Sequence, residues 1–249
     1  MRFSDKGVYN IAIDIGNTFC KIGVAYGDGL AMSRKVLRDG LLSGLDELTG
    51  GRYPDIIIVS CVQEDDMELY RALENRCRRL VILNGRTPVP VKNSYATLET
   101  LGADRIASAV GADYLFPGED CLIFDFGTAI TIDFKSADGT FKGGNISPGM
   151  NTRFKAIHQY TNRLPLVSPK APDKLKGKST EEAVCNGVVL GIMFEVEGYI
   201  RKHPGYRIVF TGGDSIFFAD KLDFPIFVVY NLVLTGLVRI AAYLNEIGA

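Results

Sequence analysis

Three short stretches of this sequence set a carboxylate beside glycine and hydroxyl residues where an apolar run breaks off. The first is DIGNTFCK, with Asp14, Gly16, Asn17, Thr18 and Lys21. Gly16 lets backbone amides approach a ligand closely, and successive amides in such a turn form a nest for an anion such as phosphate. Asn17 and Thr18 add neutral donors, and Lys21 adds a positive charge. Asp14 would repel phosphate directly. It makes sense if it holds Mg²⁺ or its water shell, because Mg²⁺ takes oxygen ligands and arrives with substrate phosphates. The structural alternative is a tight turn with a capping aspartate. The second stretch, DFGTA, repeats the design with Asp125, Gly127 and Thr128. The third, TGGD, brings Thr211, Gly212 and Gly213 to the end of an apolar run and leaves bare backbone for a flat base or ribose. Three such turns point to a nucleotide. There is no GxxxxGK[ST], and no GxGxxG after a strand; LKGKST lacks the earlier glycine of a P-loop.

A fourth stretch raises a different question. LGADRIASAVGADYL, from Leu101 to Leu115, is small and apolar like a buried helix, yet it opens on Asp104 and Arg105. An aspartate favours the positive end of a helix. That accounts for Asp104 and leaves Arg105 unexplained.

The elements that must position these residues follow from apolar patterning. Val8–Asp14 reads as a buried strand, followed by strands around the Gly27-Asp28-Gly29 turn. DIIIVSCV, Asp55–Val62, is a β-branched run typical of a strand covered on both faces. Helices are expected within Glu64–Arg78, with Met67, Leu69, Tyr70 and Leu73 as the apolar side, and over Ala103–Leu115, Ser179–Ile200 and Leu232–Glu246. Short strands are expected in LVILNG, YRIVFTGGD and FPIFVVY. From Cys121 the pattern is strand, turn, strand and hairpin. IAIDIGNTFCKIGVAYGDG resembles LIFDFGTAITIDFKSADG, with Asp14 matching Asp125 and Gly16 matching Gly127. Two such halves predict two α/β domains related by duplication, with a cleft between them. The Pro117-Gly118 break sets the expected domains at 1–117 and 118–249, the terminal helix 232–249 being free to pack on the first.

Composition narrows the class. A chain of 249 residues with net charge −1 has no basic stripe, which argues against a nucleic-acid partner. Five cysteines without a CxxC spacing read as reduced thiols of a cytoplasmic protein. Asn10 and Asp14 interrupt the N-terminal apolar run. Asn231, Thr235 and Gly236 interrupt the run from Phe224 to Val238, so neither a signal peptide nor a membrane span is expected. His158 and His203 have no acidic or cysteine partner at ligand spacing, and no GxSxG is present, which sets a Ser-His-Asp hydrolase aside.

The ordered set DIGNT…K, LGADR, DFGTAITID, GGNISPGM and TGG resembles the type III pantothenate kinases, of the acetate and sugar kinase, Hsp70 and actin superfamily, over essentially the full chain. The resemblance implies an α/β fold of two duplicated ribonuclease H-like (actin-like ATPase) domains around an interdomain cleft. It implies transfer of the ATP γ-phosphate to the hydroxyl of pantothenate, the first step of coenzyme A synthesis. It makes Asp104 the catalytic base, and it places Tyr95, Gly102, Ala103, Asp104 and Arg105 around pantothenate. Thr180 would reach the substrate, in this family often from the neighbouring subunit of a homodimer. Asp14, Gly16, Asn17, Thr18 and Lys21 become the first phosphate loop, with Asp14 near Mg²⁺. Thr128, Thr211, Gly212 and Gly213 become ATP contacts, and Asp125 the ligand of a monovalent cation, K⁺ or NH₄⁺. Two positions depart from the family pattern. Leu98 stands where proline is frequent and Ile130 where a small polar residue is common; neither removes a catalytic group. Another kinase of the superfamily is one alternative, although a sugar kinase usually needs a longer chain. A nucleotide-binding regulator of the same fold, a transcriptional accessory protein without catalysis, is the other. Such a regulator would not need the set Asp14, Asp104 and Asp125.

Overall fold

A computed structural model describes residues 8–16, 19–61, 66–172 and 174–248. The chain forms two compact units. One holds the chain up to Gly118, together with Asp138–Lys142 and the stretch from Asn231 onward; the other holds Glu119–Ala137 and Gly143–Tyr230.

The first unit is built on β1 (Tyr9–Ile15), β2 (Phe19–Tyr26), β3 (Gly29–Leu37), β4 (Ile56–Cys61) and β5 (Arg79–Ile82), hydrogen-bonded in the order β3-β2-β1-β4-β5. β1 is antiparallel to β2 and parallel to β4. Side chains alternate across a strand, so each strand feeds two cores. Ile11, Ile13, Cys20, Ile22, Ile57 and Val59 join Leu41 and Leu45 of α1 (Leu41–Thr49) and Leu73 of α2 (Met67–Glu74). Ala12, Ala25, Ile56 and Ile58 join α3 (Ala103–Leu115) and α7 (Leu232–Glu246). The two helices cross with almost no side chain between them. A Cβ on Gly111 would lie 2.5 Å from the Leu232 carbonyl oxygen, and one on Gly236 would collide with the Ala107 carbonyl. The small residues of LGADRIASAVGADYL are the means of that approach, and it holds the start of α3 in place. β6 (Lys92–Asn93) pairs with Thr140 and Phe141 in the same unit.

The second unit repeats the meander with β7 (Cys121–Phe126), β8 (Ala129–Ser136) and β9 (Thr140–Pro148), the last starting in the first unit. β10 (Arg207–Gly212) and β11 (Ile226–Val228) extend it, giving the order β11-β10-β7-β8-β9-β6. One face carries Leu122, Phe124, Phe126, Ile132 and Phe210. They pack on α4 (Met150–Tyr160), α5 (Thr180–Lys202) and α6 (Ser215–Ala219). Edge-to-face rings, such as Phe126 and Phe210 at 4.8 Å, fix that core.

Some sequence expectations are corrected. Among the described residues α2 runs over Met67–Glu74 and stops short of Arg78, Glu64 and Asp65 lying outside those residues; of its expected apolar side only Leu73 is fully buried, with Met67 60% exposed. The final strand shrinks to Ile226–Val228. α4, α6 and β6 were not anticipated. α4 buries only Met150 and Phe154, too few apolar positions to show a helical period.

Candidate active site

The period-two logic of the first sheet brings one set of the candidate residues together. Asp14 lies opposite Lys21 on β2 and opposite Ser60 on β4. All three share the strand face of Ala12, Ala25 and Ile58, which looks toward α3 and α7. Burial pushes the Asp14 carboxyl up to about 6; Lys21 opposes that rise, the Asp104 carboxylate adds to it, and a hydrogen bond from Ser60 opposes it. Asp104 is therefore close to Asp14 although 90 positions away. Gly16 donates its N–H to the Phe19 carbonyl at 3.1 Å, closing the turn after β1. Asn17 and Thr18, the other two residues expected in that turn, lie outside the described residues.

Gly102 caps α3 and Asp104 sits in its first turn, where Oδ1 accepts the Arg105 N–H at 2.9 Å. A Cβ on Gly102 would stand 2.5 Å from Asp104 Oδ1, so the glycine leaves room for the carboxylate. Gly102, Ala103 and Asp104 line a cavity of about 740 Å³ together with Ser60, Cys61, Leu83 and the 84–86 and 98–101 segments. Arg105 takes another direction. It is 4% exposed, and its guanidinium lies 5.4 Å from the Tyr95 ring centroid and 5.8 Å from that of Phe141. Tyr95, Gly102 and Arg105 thus come together, while Asp104 alone of the charged pair faces the cavity.

The second sheet assembles the other set. Thr211 lies opposite Asp125, and Gly212 opposite Phe126, on the parallel neighbours β10 and β7. Gly212 has φ of +89°, and any Cβ there would strike Asp125 and the Phe126 backbone; this position requires glycine twice over. Thr128 and Gly127 are exposed at the turn, and Gly213 is open. Thr211 is 2% exposed, so this turn presents glycine backbone and not the threonine side chain. Thr180, the first residue of α5, is exposed behind its N-cap Ser179, whose hydroxyl accepts the Glu182 N–H at 3.2 Å.

The duplication runs deeper than the two aspartates. Each is flanked on its parallel neighbour by a buried hydroxyl residue, Ser60 beside Asp14 and Thr211 beside Asp125. On the antiparallel side the copies differ, Lys21 in one and Thr131 in the other. Sequence reasoning missed Ser60. Its signal was a lone hydroxyl at the end of IIIVSC, the counterpart of the threonine in IVFTG.

Among the described residues no three His, Cys, Asp or Glu side chains assemble as a metal cluster. The half-buried Asp14 carboxylate opposite Lys21 fits Mg²⁺ that arrives on nucleotide phosphates and keeps most of its waters. His158 and His203 point their Nδ1 atoms to the Leu164 and Tyr199 carbonyls and serve local structure.

Comparison with known proteins gives this geometry a family context. The sequence profile described as type III pantothenate kinase matches residues 10–202. A type III pantothenate kinase from Phocaeicola vulgatus is 41% identical over 245 residues, covering 96% of this chain and 100% of that protein. A conserved Baf family protein from Campylobacter jejuni superposes with a TM-score of 0.65 at 24% identity, over 96% of this chain and 98% of that one. The activator of the 2-hydroxyisocaproyl-CoA dehydratase from Clostridium difficile superposes with a TM-score of 0.59 at 13% identity, over 97% and 98%. At these identities the two structures speak to the two-sheet fold alone.

Proposed function

The chain belongs to the type III pantothenate kinase family and phosphorylates pantothenate on the way to coenzyme A, and from that premise we propose how its residues divide the work. Asp104 orients the attacking primary hydroxyl and takes its proton late, since phosphoryl transfer asks for positioning and charge neutralisation more than covalent chemistry. The observation that carries this assignment is its place on the 740 Å³ cavity beside Ser60, near enough to Asp14 to raise that carboxyl. Asp14 and Lys21, with Gly16, Asn17 and Thr18, hold the phosphate end of ATP. Mg²⁺ bound through Asp14 would offset phosphate charge. Gly102 and Ala103 shape the pantothenate cavity. Arg105, whose guanidinium lies by Tyr95 and Phe141 and off the cavity lining, meets the substrate carboxylate in this reading where the substrate reaches past the cavity toward Tyr95. Thr128, Thr211, Gly212 and Gly213 serve the nucleotide, and Asp125 serves a monovalent cation. A coupled ATP assay should show turnover with pantothenate, and more of it with K⁺ or NH₄⁺ than with Na⁺ alone. Equal rates in Na⁺ buffer would remove the cation from this scheme; no turnover would remove the scheme itself. The intact trio Asp14, Asp104 and Asp125 favours catalysis over a regulator that only binds nucleotide.

A homodimer completes the site in this reading, and α5 supports it. By length and composition that helix could cross a membrane, with 39% of the apolar window buried. Its exposed side carries Thr180, Ala183, Gly187, Phe194 and Gly198, spaced so that all fall on one face. Phe194 is 59% exposed, and nothing lies within 4 Å of a Cβ on Gly187 or Gly198. A second copy covers this face and receives Thr180 into its site; Glu195 and Glu197 beside the stripe suit a protein partner in the cytoplasm better than lipid. Mixing two inactive variants, Asp104→Ala and Thr180→Ala, should restore roughly a quarter of normal activity, because half of the random dimers then carry one intact site. No recovery on mixing would place Thr180 in its own subunit's site or in none.

A further inference from the structure

The stretch GGNISPGM helped to carry the resemblance, yet its second half has no role in the scheme above. We propose that the first turn of α4 is a clamp on the Thr128 turn, with Thr152 and Gly149 as positioning residues for ATP. This rests on the reading of Thr128 as an ATP contact.

One oxygen is the centre of the arrangement. The Thr128 carbonyl accepts two hydrogen bonds, from the Gly149 N–H at 3.0 Å and from the Thr152 hydroxyl at 2.7 Å. A carbonyl and the N–H that follows share one rigid plane. Fixing the Thr128 oxygen therefore also fixes where the Ala129 N–H points. The turn is closed from the other side by the Gly127 N–H on the Ala129 carbonyl at 3.1 Å. A turn that is exposed at Gly127 and Thr128 is held in one shape before any ligand arrives, as pre-ordered donors for an anion should be.

Gly149 is needed for proximity and not for its backbone angles, which are φ −67° and ψ 169°. A Cβ there would collide with the Gly127 carbonyl and stand 2.7 Å from that of Thr128, both backbone atoms that cannot swing aside. The clamp itself is anchored. Arg153 Nε donates to the Pro148 carbonyl at 2.8 Å, its terminal nitrogen donates to the Ser147 hydroxyl at 3.2 Å, and the same nitrogen pairs with Glu195 on α5. Met150 and Phe154 bury the other side of α4 in the aromatic core. The turn is thus tied to a packed helix through two bonds to a single atom.

The test is steady-state kinetics on Thr152→Val, Thr152→Ser and Thr128→Ala, with melting temperatures alongside. Valine keeps the shape of threonine and removes the donor. Thr152→Val should raise KM for ATP about five- to tenfold, the loss of one hydrogen bond. It should leave KM for pantothenate within about twofold, and Thr152→Ser should restore the ATP value. If Thr152→Val raises both KM values alike, or lowers only the melting temperature, or if serine fails to rescue, the clamp is overturned. If Thr128→Ala raises KM for ATP and Thr152→Val does not, the clamp fails while the Thr128 reading stands. If Thr128→Ala leaves KM for ATP unchanged and Thr152→Val raises it, the Thr128 side-chain contact fails, and the clamp stands as the holder of the turn's backbone.

Discussion

Asp104→Asn should fold, bind ATP with near-normal affinity, and lose turnover by about 10²- to 10⁴-fold, the usual worth of a positioned proton acceptor. Folding is expected to survive because the side chain is only half-buried and its structural task is small. It accepts one N–H in the first turn of α3, worth about 1 kcal/mol as an ordinary hydrogen bond, and the amide oxygen of asparagine can accept the same bond. The helix start is held elsewhere, by the close crossing of α3 and α7 at Gly111 and Gly236. A second readout separates a charge effect from a shape effect. Burial is the main cause of the raised Asp14 carboxyl and the Asp104 carboxylate adds to it, so removing that charge should lower the Asp14 titration from about 6 while leaving it raised. Turnover close to normal in Asp104→Asn would sink its assignment as the base. An unmoved Asp14 titration would mean that the two carboxyls do not sense one another.

Asp14→Asn should abolish turnover and, at pH 7 without ligand, make the protein more stable. The carboxyl titrates near 6 in the folded chain because burial disfavours its charge, and near 3.9 when unfolded. Between those values the folded state holds a proton that the unfolded state has released. The favourable contribution is therefore full below about 4, declines as pH rises, and is gone above about 6. By pH 7 the ionised, buried carboxylate costs stability by up to about 3 kcal/mol. Asparagine cannot ionise, so denaturant midpoints for the variant should fall less from pH 4 to 7 than those of the native chain; burial also raises Asp214, which keeps a slope of its own. Mg²⁺ with ATP should narrow the difference, since a cation at the carboxylate favours its charged form. A variant less stable than the native chain at pH 7, or a native chain with no slope over that range, would contradict the strained-carboxylate picture. The cost is the kind a protein bears where a charge has chemistry to do.

Much of this site was legible in the sequence because the relevant signals are local. A glycine close to an aspartate at a strand's end declares a turn that something approaches closely, and DIGNT, DFGTA and TGGD all did so. Apolar runs located β1, β4, β7 and β10, and the bounds of α3 and α7 fall where their patterns begin and stop. What failed locally was also physical. α4 buries two apolar residues and hides its purpose in backbone contacts, which no hydrophobic period records. The expected side chains of α2 were apolar in type, but Met67 stays 60% exposed.

The sequence by itself determined which residue types stand at the strand ends, that the two halves repeat, and that a carboxylate opens a small-residue helix. The tertiary structure decided which of them meet. Strand register set Ser60 and Lys21 on either side of Asp14, and Thr211 beside Asp125, because pairing across a sheet joins residues far apart in the chain. Helix geometry turned Asp104 to the cavity and its neighbour Arg105 between two rings, since successive helical residues point about 100° apart. Adjacent letters became separate tools, and distant ones became neighbours within each sheet.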